Sequence, residues 1–526
     1  MFDRPHSPAR FFPAAATLGA LVLHALWYDF TSDDAFIVAR YARHLAEGRG
    51  CVWNPGERVE GYTSIVWVLL CAGIGRTGLD YAIAARGLSF LGAAGCVIVM
   101  IRLASPLGLA RNAGLAVAAP ALFALSASVA CWALGGLETC GFAFSILLLL
   151  FILTRHATSA PAAGFAAGFC ALTRPEGLAV AVIAGLYFVT RPGRGNARRL
   201  SEYAAVLTLI ALAQLAWRRA YYGDWLPNTY YAKVGHGPAV WRAGARYVWE
   251  CISDNGGFAA WALPFIGPWL FYRHREAAGL AVVGLTLIAG VIFVGGDGLA
   301  MHRFIVPVIP LWLMLWIKLL AEFPGWLTRT LPRSPAGAGR VLVCVITIAL
   351  AASLAFKPRA ARQYLLYTEH AVEVPDWIAV GRWLHENAPP DASVACVPIG
   401  AVGYYSRLTV YDMLGLTDPH IAHREMPLGG GWVGHEKHDG PYILSRRPTY
   451  LLLGNIQVLA RQLPAGDKYF AKPPNPNIAQ REGDIFTPEL QAQYIPAVAR
   501  LENGGYLHYF VRRRAEPAHE PGGKTP

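Results

Sequence analysis

The stretch SDDAFIVARYARHLAEGRG, residues 32–50, places two adjacent aspartates just after the first apolar segment of the chain. That segment, residues 11–28, is close to the roughly 20 residues that a transmembrane helix needs. Adjacent carboxylates repel each other, and a membrane edge is a poor place to remove them from water. The pair therefore indicates either a cap for the helix that follows or a functional site at a membrane surface.

The composition is that of a polytopic membrane protein. Of 526 residues, 55% are hydrophobic and only 15% are charged, whereas soluble proteins carry roughly 25% charged residues. The mean hydropathy is +0.35. The net charge of +12 fits arginines that fix topology and a site for a phosphate-bearing lipid, so we expect a lipid bilayer and no nucleic acid as partner.

Eleven segments are predicted to cross the membrane, starting from a cytoplasmic N-terminus. They are residues 11–28, 81–104, 113–134, 140–154, 161–173, 177–190, 202–219, 257–272, 277–295, 304–320 and 341–356. Segment 64–75 has 12 residues, too few for a span, and is predicted to be a juxtamembrane helix. Basic clusters such as residues 191–199 then face the cytoplasm, whereas Arg218 and Arg219 break this rule.

The odd number of spans leaves the C-terminal part outside the membrane. Its short apolar strands, Gly and Asp turns and an amphipathic helix at 374–389 predict an α/β domain. We expect a transmembrane domain over 1–356, with the first outer loop and juxtamembrane helices at 29–80, then a periplasmic domain over 357–515 and a disordered tail over 516–526. The fold class is thus an α-helical polytopic membrane protein with a small periplasmic α/β domain.

The polar motifs collect in the outer loops. The loop candidates for substrate binding are Glu60, Glu138, Glu176, Asp224, Asn228 and His302. Those for binding a phosphate are Arg40, Arg174, Lys233 and Arg303, because guanidinium and ammonium groups suit phosphate oxygens. For two of these arginines, an interpretation without phosphate binding stays open. Arg174 and Glu176 can form an ion pair with each other only, and Arg303 can simply extend its side chain to the membrane–water interface.

Three roles are open for Asp33 and Asp34. They can cap the following helix, take a proton from a sugar hydroxyl, or hold a divalent cation near a phosphate. Helical spacing puts Asp33, Arg40 and Arg43 on one face. That face is either solvated or a basic surface for a lipid phosphate.

The C-terminal part holds a second group of candidates. Asp412, His435, Glu436 and Lys437 lie in the motifs YDMLGLTDPHIA and GHEKHDG. No established metal-ligand spacing occurs there, so ordinary loop polarity is one interpretation. The other is that this loop folds over the membrane site and contacts an acceptor.

These motifs resemble the GT-C superfamily of membrane glycosyltransferases. The first-loop stretch DDAFIVARYARHLAEGRGCVWNPGERVEGYTS, with GGLET, LTRPEG, YYGDWLPNTYYAK, GDGLAMHRFIVPVIP and the two C-terminal motifs, is similar to one bacterial group in particular. That group contains AftB-type terminal arabinofuranosyltransferases and the proteins LphB and ZomB. The similarity covers roughly residues 15 to 450.

The resemblance implies a polyprenyl-phosphate sugar as donor and a cell-envelope glycan as acceptor, at the outer face of a bacterial inner membrane. It implies Asp33 as base or site organiser, with Asp34 beside it; magnesium or manganese is required by some members only. Two other functions stay open. One is a lipid or anion transporter, although no internal repeat is visible. The other is a non-catalytic envelope or flagellar assembly factor.

Overall fold

The computed structural model describes residues 8–155, 159–190, 195–270, 274–330, 337–360, 362–464, 466–472 and 476–513. The tail predicted to be disordered, 516–526, lies outside the described residues. The helices are α1 Pro8–Tyr28, α2 Asp33–Ala46, α3 Ile65–Gly75, α4 Tyr81–Leu103, α5 Ala113–Leu125, α6 Ala127–Ala133, α7 Thr139–Thr154, α8 Ala160–Thr173, α9 Glu176–Thr190, α10 Asn196–Tyr222, α11 Asn228–Lys233, α12 Pro238–Asp254, α13 Phe258–Leu270, α14 Arg275–Phe293, α15 Ile309–Thr330, α16 Ala338–Ala360, α17 Arg362–Asn387, α18 Gly400–Ser406, α19 Pro419–Ala422, α20 Gly440–Ser445, α21 Pro476–Glu482 and α22 Pro488–Gln493.

Helices lie at all eleven segments predicted to cross the membrane. The segment 113–134 is two helices, α5 and α6, bent by 68° where they meet at Ser126. Within the described residues, four helices (α4, α10, α14 and the central part of α16) are long and apolar enough to span a bilayer, and the bent pair makes five. The polytopic helical fold is confirmed, and the number of eleven spans stays a prediction.

Segment 64–75 forms a separate short helix, as the sequence indicates. It is α3, and the Ser64 hydroxyl caps it by accepting a hydrogen bond from the Trp67 amide at 3.3 Å. Within α3, Trp67 donates its indole N–H to the Gly136 carbonyl at 3.0 Å, which ties the helix to the loop before α7. The first loop is therefore anchored to the helical bundle on both sides of residues 29–63.

The C-terminal part contains a small mixed sheet. Its strands are β1 Ser393–Cys396, β2 Thr409–Asp412, β3 Tyr450–Leu452, β4 Val458–Leu459, β5 Tyr494–Arg500 and β6 Tyr506–Arg512. Strand β1 pairs in parallel with β2 and β3, and β6 runs antiparallel to β3, β4 and β5. The amphipathic helix predicted at 374–389 starts earlier, as α17, and ends before Pro389. The predicted α/β character is confirmed.

A buried polar contact joins the first loop to this C-terminal part. The fully buried guanidinium of Arg40 donates to the carbonyls of Trp53 at 2.9 Å, Leu408 at 2.7 Å and Gly403. Nearby, Arg43 donates to the Tyr404 carbonyl at 2.8 Å. The arginine face of α2 is thus covered by the C-terminal part, and both interpretations of it as a solvated or lipid-facing surface are wrong.

Candidate active site

A pocket lies between the first loop, α11 and the C-terminal part. It contains about 810 Å³ of open space, and its lining includes five predicted residues: Asp33, Asp34, Lys233, Asp412 and His435. These residues come from four separate segments of the chain. The structure therefore brings the acidic pair and the C-terminal motifs together at one site.

Asp33 is held by the N-terminus of α18. Its carboxylate oxygens accept the backbone amides of Gly400 at 2.8 Å and Ala401 at 2.7 Å. Burial raises the pKa of Asp33 to about 7, although the two amides lower it in part. Asp33 therefore caps a helix of the C-terminal part, and Ser32 stands at the N-cap of α2.

Asp34 faces cations. Its carboxylate lies 3.7 Å from a terminal guanidinium nitrogen of Arg303. Burial alone would raise the pKa of Asp34, but the positive charges of Lys233 and Arg303 bring that pKa below its ordinary value. Of the two aspartates, Asp34 is thus the permanent anion.

Arg303 lies outside the lining of this pocket, with one edge fixed by Asp297 and another turned toward Asp34. Its Nε and one terminal nitrogen donate to the two oxygens of Asp297, at 2.8 and 2.9 Å. Met301 and His302 just before it both have positive φ, 58° and 50°, which is rare for residues other than glycine. His302 is buried, with its Nε2 3.0 Å from a carboxylate oxygen of Asp254. His302 thus supports the turn that precedes Arg303 and lies outside the pocket lining, and its binding of substrate stays a prediction.

Arg174 lies in an ion-pair cluster next to Arg303, and both arginines line a small neighbouring cavity. It donates to Glu138 at 2.7 Å and to both oxygens of Glu176, at 3.0 and 3.3 Å. Both edges of its guanidinium are therefore occupied by carboxylates. The structure places Arg174, Glu138 and Glu176 outside the lining of the pocket and agrees with the alternative that these groups pair with one another.

Lys233 reaches the pocket from the C-terminal end of α11. The helix is positioned by Asn228, whose buried amide donates to the carbonyls of Gly415 at 2.8 Å and Leu416 at 2.9 Å. Among the described residues, Lys233 has no ion-pair partner within 4 Å. A free ammonium group beside two carboxylates is available for an anionic ligand.

Three loop candidates do not reach the pocket. The amide nitrogen of Asn228 donates to the backbone contacts that hold α11, whereas its buried side-chain oxygen has no hydrogen-bond partner among the described residues. Glu60 is buried and pairs with Arg218 at 2.5 Å, which also explains why Arg218 departs from the charge rule. Asp224 is absent from the pocket lining. The structure places these three residues outside the lining of the pocket, and their contact with substrate stays a prediction.

Arg40 is likewise not a phosphate ligand. Its donors are taken by backbone carbonyls and by the Asn54 side chain at 3.2 Å, and it is 1% exposed. A buried, fully hydrogen-bonded guanidinium cannot release those carbonyls without leaving them unpaired. Arg40 instead acts as a structural clamp, which joins the first loop to the C-terminal part through these hydrogen bonds.

The residues of the GHEK motif have two kinds of role: one lines the pocket, and the others hold the surrounding loop. His435 lines the pocket, and burial, helped by the charge of Lys233, lowers its pKa to about 3. The Glu436 carboxylate accepts the amides of Gly429 and Gly431, both at 2.8 Å, and Lys437 donates to the Ala422 carbonyl at 2.6 Å. Glu436 and Lys437 therefore shape the loop and lie outside the pocket lining, and their predicted substrate contacts stay predictions.

Asp412 lines the pocket and also closes a turn. It accepts the amides of Leu414 at 2.9 Å and Thr417 at 2.7 Å. Burial raises the pKa of Asp412 to about 6.

Several pocket residues were missed from the sequence. His370 and Trp377 come from α17, Asn455 from the loop after β3, Trp432 from the GGGW stretch and Arg481 from α21. Asn455 and its neighbour Ile456 both have positive φ, 62° and 56°, a strained arrangement. In the sequence, each of these residues is isolated among ordinary helix and loop residues. Only the three-dimensional structure therefore identifies them as part of the pocket.

A divalent cation does not fit the acidic pair well. Both oxygens of Asp33 accept backbone amides, and Asp34 faces the positive charges of Lys233 and Arg303. Across the described ranges, no three His, Cys, Asp or Glu side chains meet as a metal-binding group. The positively charged residues that line or face this pocket are Lys233, Arg481 and Arg303.

Comparisons with known proteins agree with this architecture. A family model described as a domain of unknown function, DUF8728, matches residues 362–514. ArnT from Cupriavidus metallidurans in the apo state aligns with a TM-score of 0.53 at 14% sequence identity, over 94% of this chain and 97% of that one.

Sequence relatives are two proteins named terminal β-(1→2)-arabinofuranosyltransferase. The one from Mycobacterium tuberculosis is 31% identical over 250 residues, which cover 44% of this chain and 38% of that protein. The one from Corynebacterium glutamicum is 30% identical over 310 residues, 52% of this chain and 42% of that protein. This chain thus spans about two fifths of the curated relatives that it matches. The resemblance to terminal arabinofuranosyltransferases seen in the sequence is confirmed by these relatives, and the chain shares the fold of ArnT.

Proposed function

We propose that this protein transfers one glycosyl residue from a polyprenyl-phosphate sugar to a hydroxyl of a cell-envelope glycan. The observation that carries the proposal is the pocket in which Asp33 and Asp34 lie beside Lys233, with one edge of Arg303 turned toward Asp34. The chain would be an integral protein of the bacterial inner membrane with this pocket on the periplasmic side. Similarity to the two arabinofuranosyltransferases favours arabinofuranose as the sugar.

The chemistry follows from the charges around the pocket. Asp33 takes the proton of the acceptor hydroxyl, whose oxygen bonds to the anomeric carbon of the donor sugar. The bond from that carbon to the phosphate oxygen breaks, and polyprenyl phosphate leaves with the extra negative charge. Lys233 and Arg303 stabilise this charge. In a partly buried site, this electrostatic stabilisation contributes more to the rate than proton transfer to the base does.

The two aspartates suit different parts of this reaction. A base works best when its pKa is near the working pH, which fits Asp33 with its pKa of about 7. Asp34 stays ionised and faces the second edge of Arg303, which Asp297 holds in place. Its negative charge also keeps the empty pocket from being strongly positive.

The test is transfer by the purified full-length protein in lipid nanodiscs, with polyprenyl-phosphoryl arabinofuranose and a synthetic oligoarabinofuranoside. The Lys233→Met variant loses one charged contact to phosphate, so kcat/KM for the donor should fall by roughly 10- to 100-fold. The matched control is Lys468→Met, remote from the pocket, with unchanged kcat/KM. A wild-type protein that forms no product with this donor or with other polyprenyl-phosphate sugars would contradict the proposal.

A cell-based experiment separates an enzyme from an assembly factor. Complementation of a deletion strain with Lys233→Met should leave envelope glycans short of one terminal residue, as seen by mass spectrometry. An assembly factor predicts full complementation by the same variant.

A further inference from the structure

A second, larger pocket adjoins the candidate active site. It contains about 1350 Å³ of open space and lies between one face of α12 and one face of α17. Two loops, residues 295–298 and 429–433, complete its lining. Trp432 lines both this groove and the candidate active site, so the two spaces meet at that residue.

The groove is lined by both positively and negatively charged side chains that can contact a ligand. Helix α12 contributes Arg246 and Glu250, and helix α17 contributes Arg362 and Glu369. Among the described residues, none of these four side chains has an ion-pair partner within 4 Å. Asp297 also lines the groove, but its two carboxylate oxygens accept hydrogen bonds from Arg303. The remaining two positive and two negative groups suit neither an apolar lipid chain nor a polyanion. They suit a neutral ligand rich in hydroxyl groups, which can donate to carboxylates and accept from guanidinium groups.

An unpaired buried acceptor lies in the same groove. Gln363 is only 6% exposed, and its side-chain oxygen has no hydrogen-bond partner within the part of the chain that the structure describes. Buried polar atoms are nearly always paired, so an orphan acceptor in a groove points to a donor supplied by a ligand. A sugar hydroxyl is such a donor.

Glycines allow side chains to pack closely against the backbone where the groove meets the active site. A Cβ on Gly298 would come within 2.5 Å of the Trp432 indole nitrogen, and one on Gly431 within 2.6 Å of the Gln480 amide nitrogen. Trp432 donates its indole N–H to the Gly298 carbonyl at 3.1 Å, which fixes the ring where the two pockets meet. A Cβ on Gly430 would meet no atom within 4 Å, so the backbone there is accessible.

We infer that this groove binds the acceptor glycan, a neutral chain of several sugars whose end extends past Trp432 to the aspartate pair. The inference rests on the proposed function and assigns to it a binding site for the body of the acceptor. Sugars behind the reacting end contact Gln363 and the charged faces of α12 and α17. Longer acceptors should therefore bind more tightly than short ones.

The test compares acceptors of two and six arabinofuranosyl residues with the full-length protein in nanodiscs. The Glu250→Gln/Glu369→Gln double variant changes exposed or partly exposed side chains, and Gly430→Trp fills the groove. In each, KM for the hexasaccharide should rise about tenfold, as expected when one or two hydrogen bonds are lost, and by less for the disaccharide. The control is Glu386→Gln, which lies on α17 beyond the groove.

The outcomes are distinguishable. A rise in the acceptor KM that grows with chain length supports the inference. Transfer by both variants with the wild-type length dependence overturns it and leaves the proposed function intact. A selective rise in the donor KM also overturns it, because the groove would then hold the donor. Absence of transfer by the wild type removes the proposed function and the inference together.

Discussion

At the scale of single residues, the acidic pair shows how two neighbouring carboxylates acquire different properties. Asp33 points toward the amides of α18, and burial is the main influence on its pKa. Asp34 points toward Lys233 and Arg303. Burial disfavours a charged carboxylate, and nearby cations favour it. One residue of separation along α2 is enough to turn the two side chains toward these different surroundings.

The first prediction concerns pH. A base must be deprotonated to act, so kcat/KM should rise with pH and level off above a midpoint near 7, the pKa of Asp33. The other titratable groups near Asp33 are those of the pocket lining and Glu373: Asp34, Lys233, His370, Glu373, Asp412, His435 and Arg481. Asp33→Asn should lose this dependence and lower kcat by about 10²- to 10⁴-fold. The control Asp224→Asn keeps the wild-type profile, and an unchanged profile in Asp33→Asn would exclude Asp33 as the base.

At the scale of elements, helices α2 and α18 hold each other at both ends. The Asp33 carboxylate accepts the first amides of α18, while Arg40 and Arg43 donate to carbonyls at its other end. This arrangement matches the dipole of α18, whose N-terminus is positive and whose C-terminus is negative. The C-terminal part is thereby fixed over the pocket by three charged side chains of one helix.

The second prediction tests this clamp. Arg40→Leu leaves the carbonyls of Trp53, Gly403 and Leu408 without their charged donor, so the free energy of unfolding should fall by roughly 3 kcal/mol or more. The measurement is thermal unfolding in detergent together with limited proteolysis of the C-terminal part. The matched control is Arg49→Leu, an exposed arginine paired only with Glu47, with a change below about 0.5 kcal/mol. Equal stability of the two variants would show that the clamp contributes nothing.

At the scale of the whole molecule, the candidate active site belongs to no single domain. The helical part supplies Asp33, Asp34, Lys233 and Arg303, and the C-terminal part supplies Asp412 and His435. Separating the two would open the pocket to water and weaken every charge interaction within it. The covering domain therefore contributes to the strength of the site as well as to its shape.

The third prediction concerns metals. Because Lys233 and Arg303 supply the positive charge beside Asp34, transfer should continue in excess EDTA at the wild-type rate. Added Mg²⁺ or Mn²⁺ should change kcat less than twofold, since a cation at Asp34 would compete with two resident positive groups. Loss of transfer in EDTA, with recovery on adding Mn²⁺, would contradict this arrangement.

Local signals in the sequence were sufficient to predict the fold class and to identify the acidic pair of the pocket as a candidate site. Hydropathy identified every long apolar helix, because a bilayer demands continuous apolar segments whatever the tertiary packing. Strand and turn patterns likewise predicted the small C-terminal α/β part. The adjacent aspartates were recognisable because charges at a membrane edge are costly unless they have a role.

Tertiary structure alone decided which polar residues meet. Arg40, Arg174, Glu60 and Glu436 look like Lys233 and His435 in the sequence, yet the first four are held by partners elsewhere. A charged residue near the membrane can bind a ligand, pair with an opposite charge or tie down a loop, and these choices differ only in what lies within about 3 Å. That distance is set by contacts between segments far apart in the chain, such as Asp33 and Gly400, and no local pattern contains it.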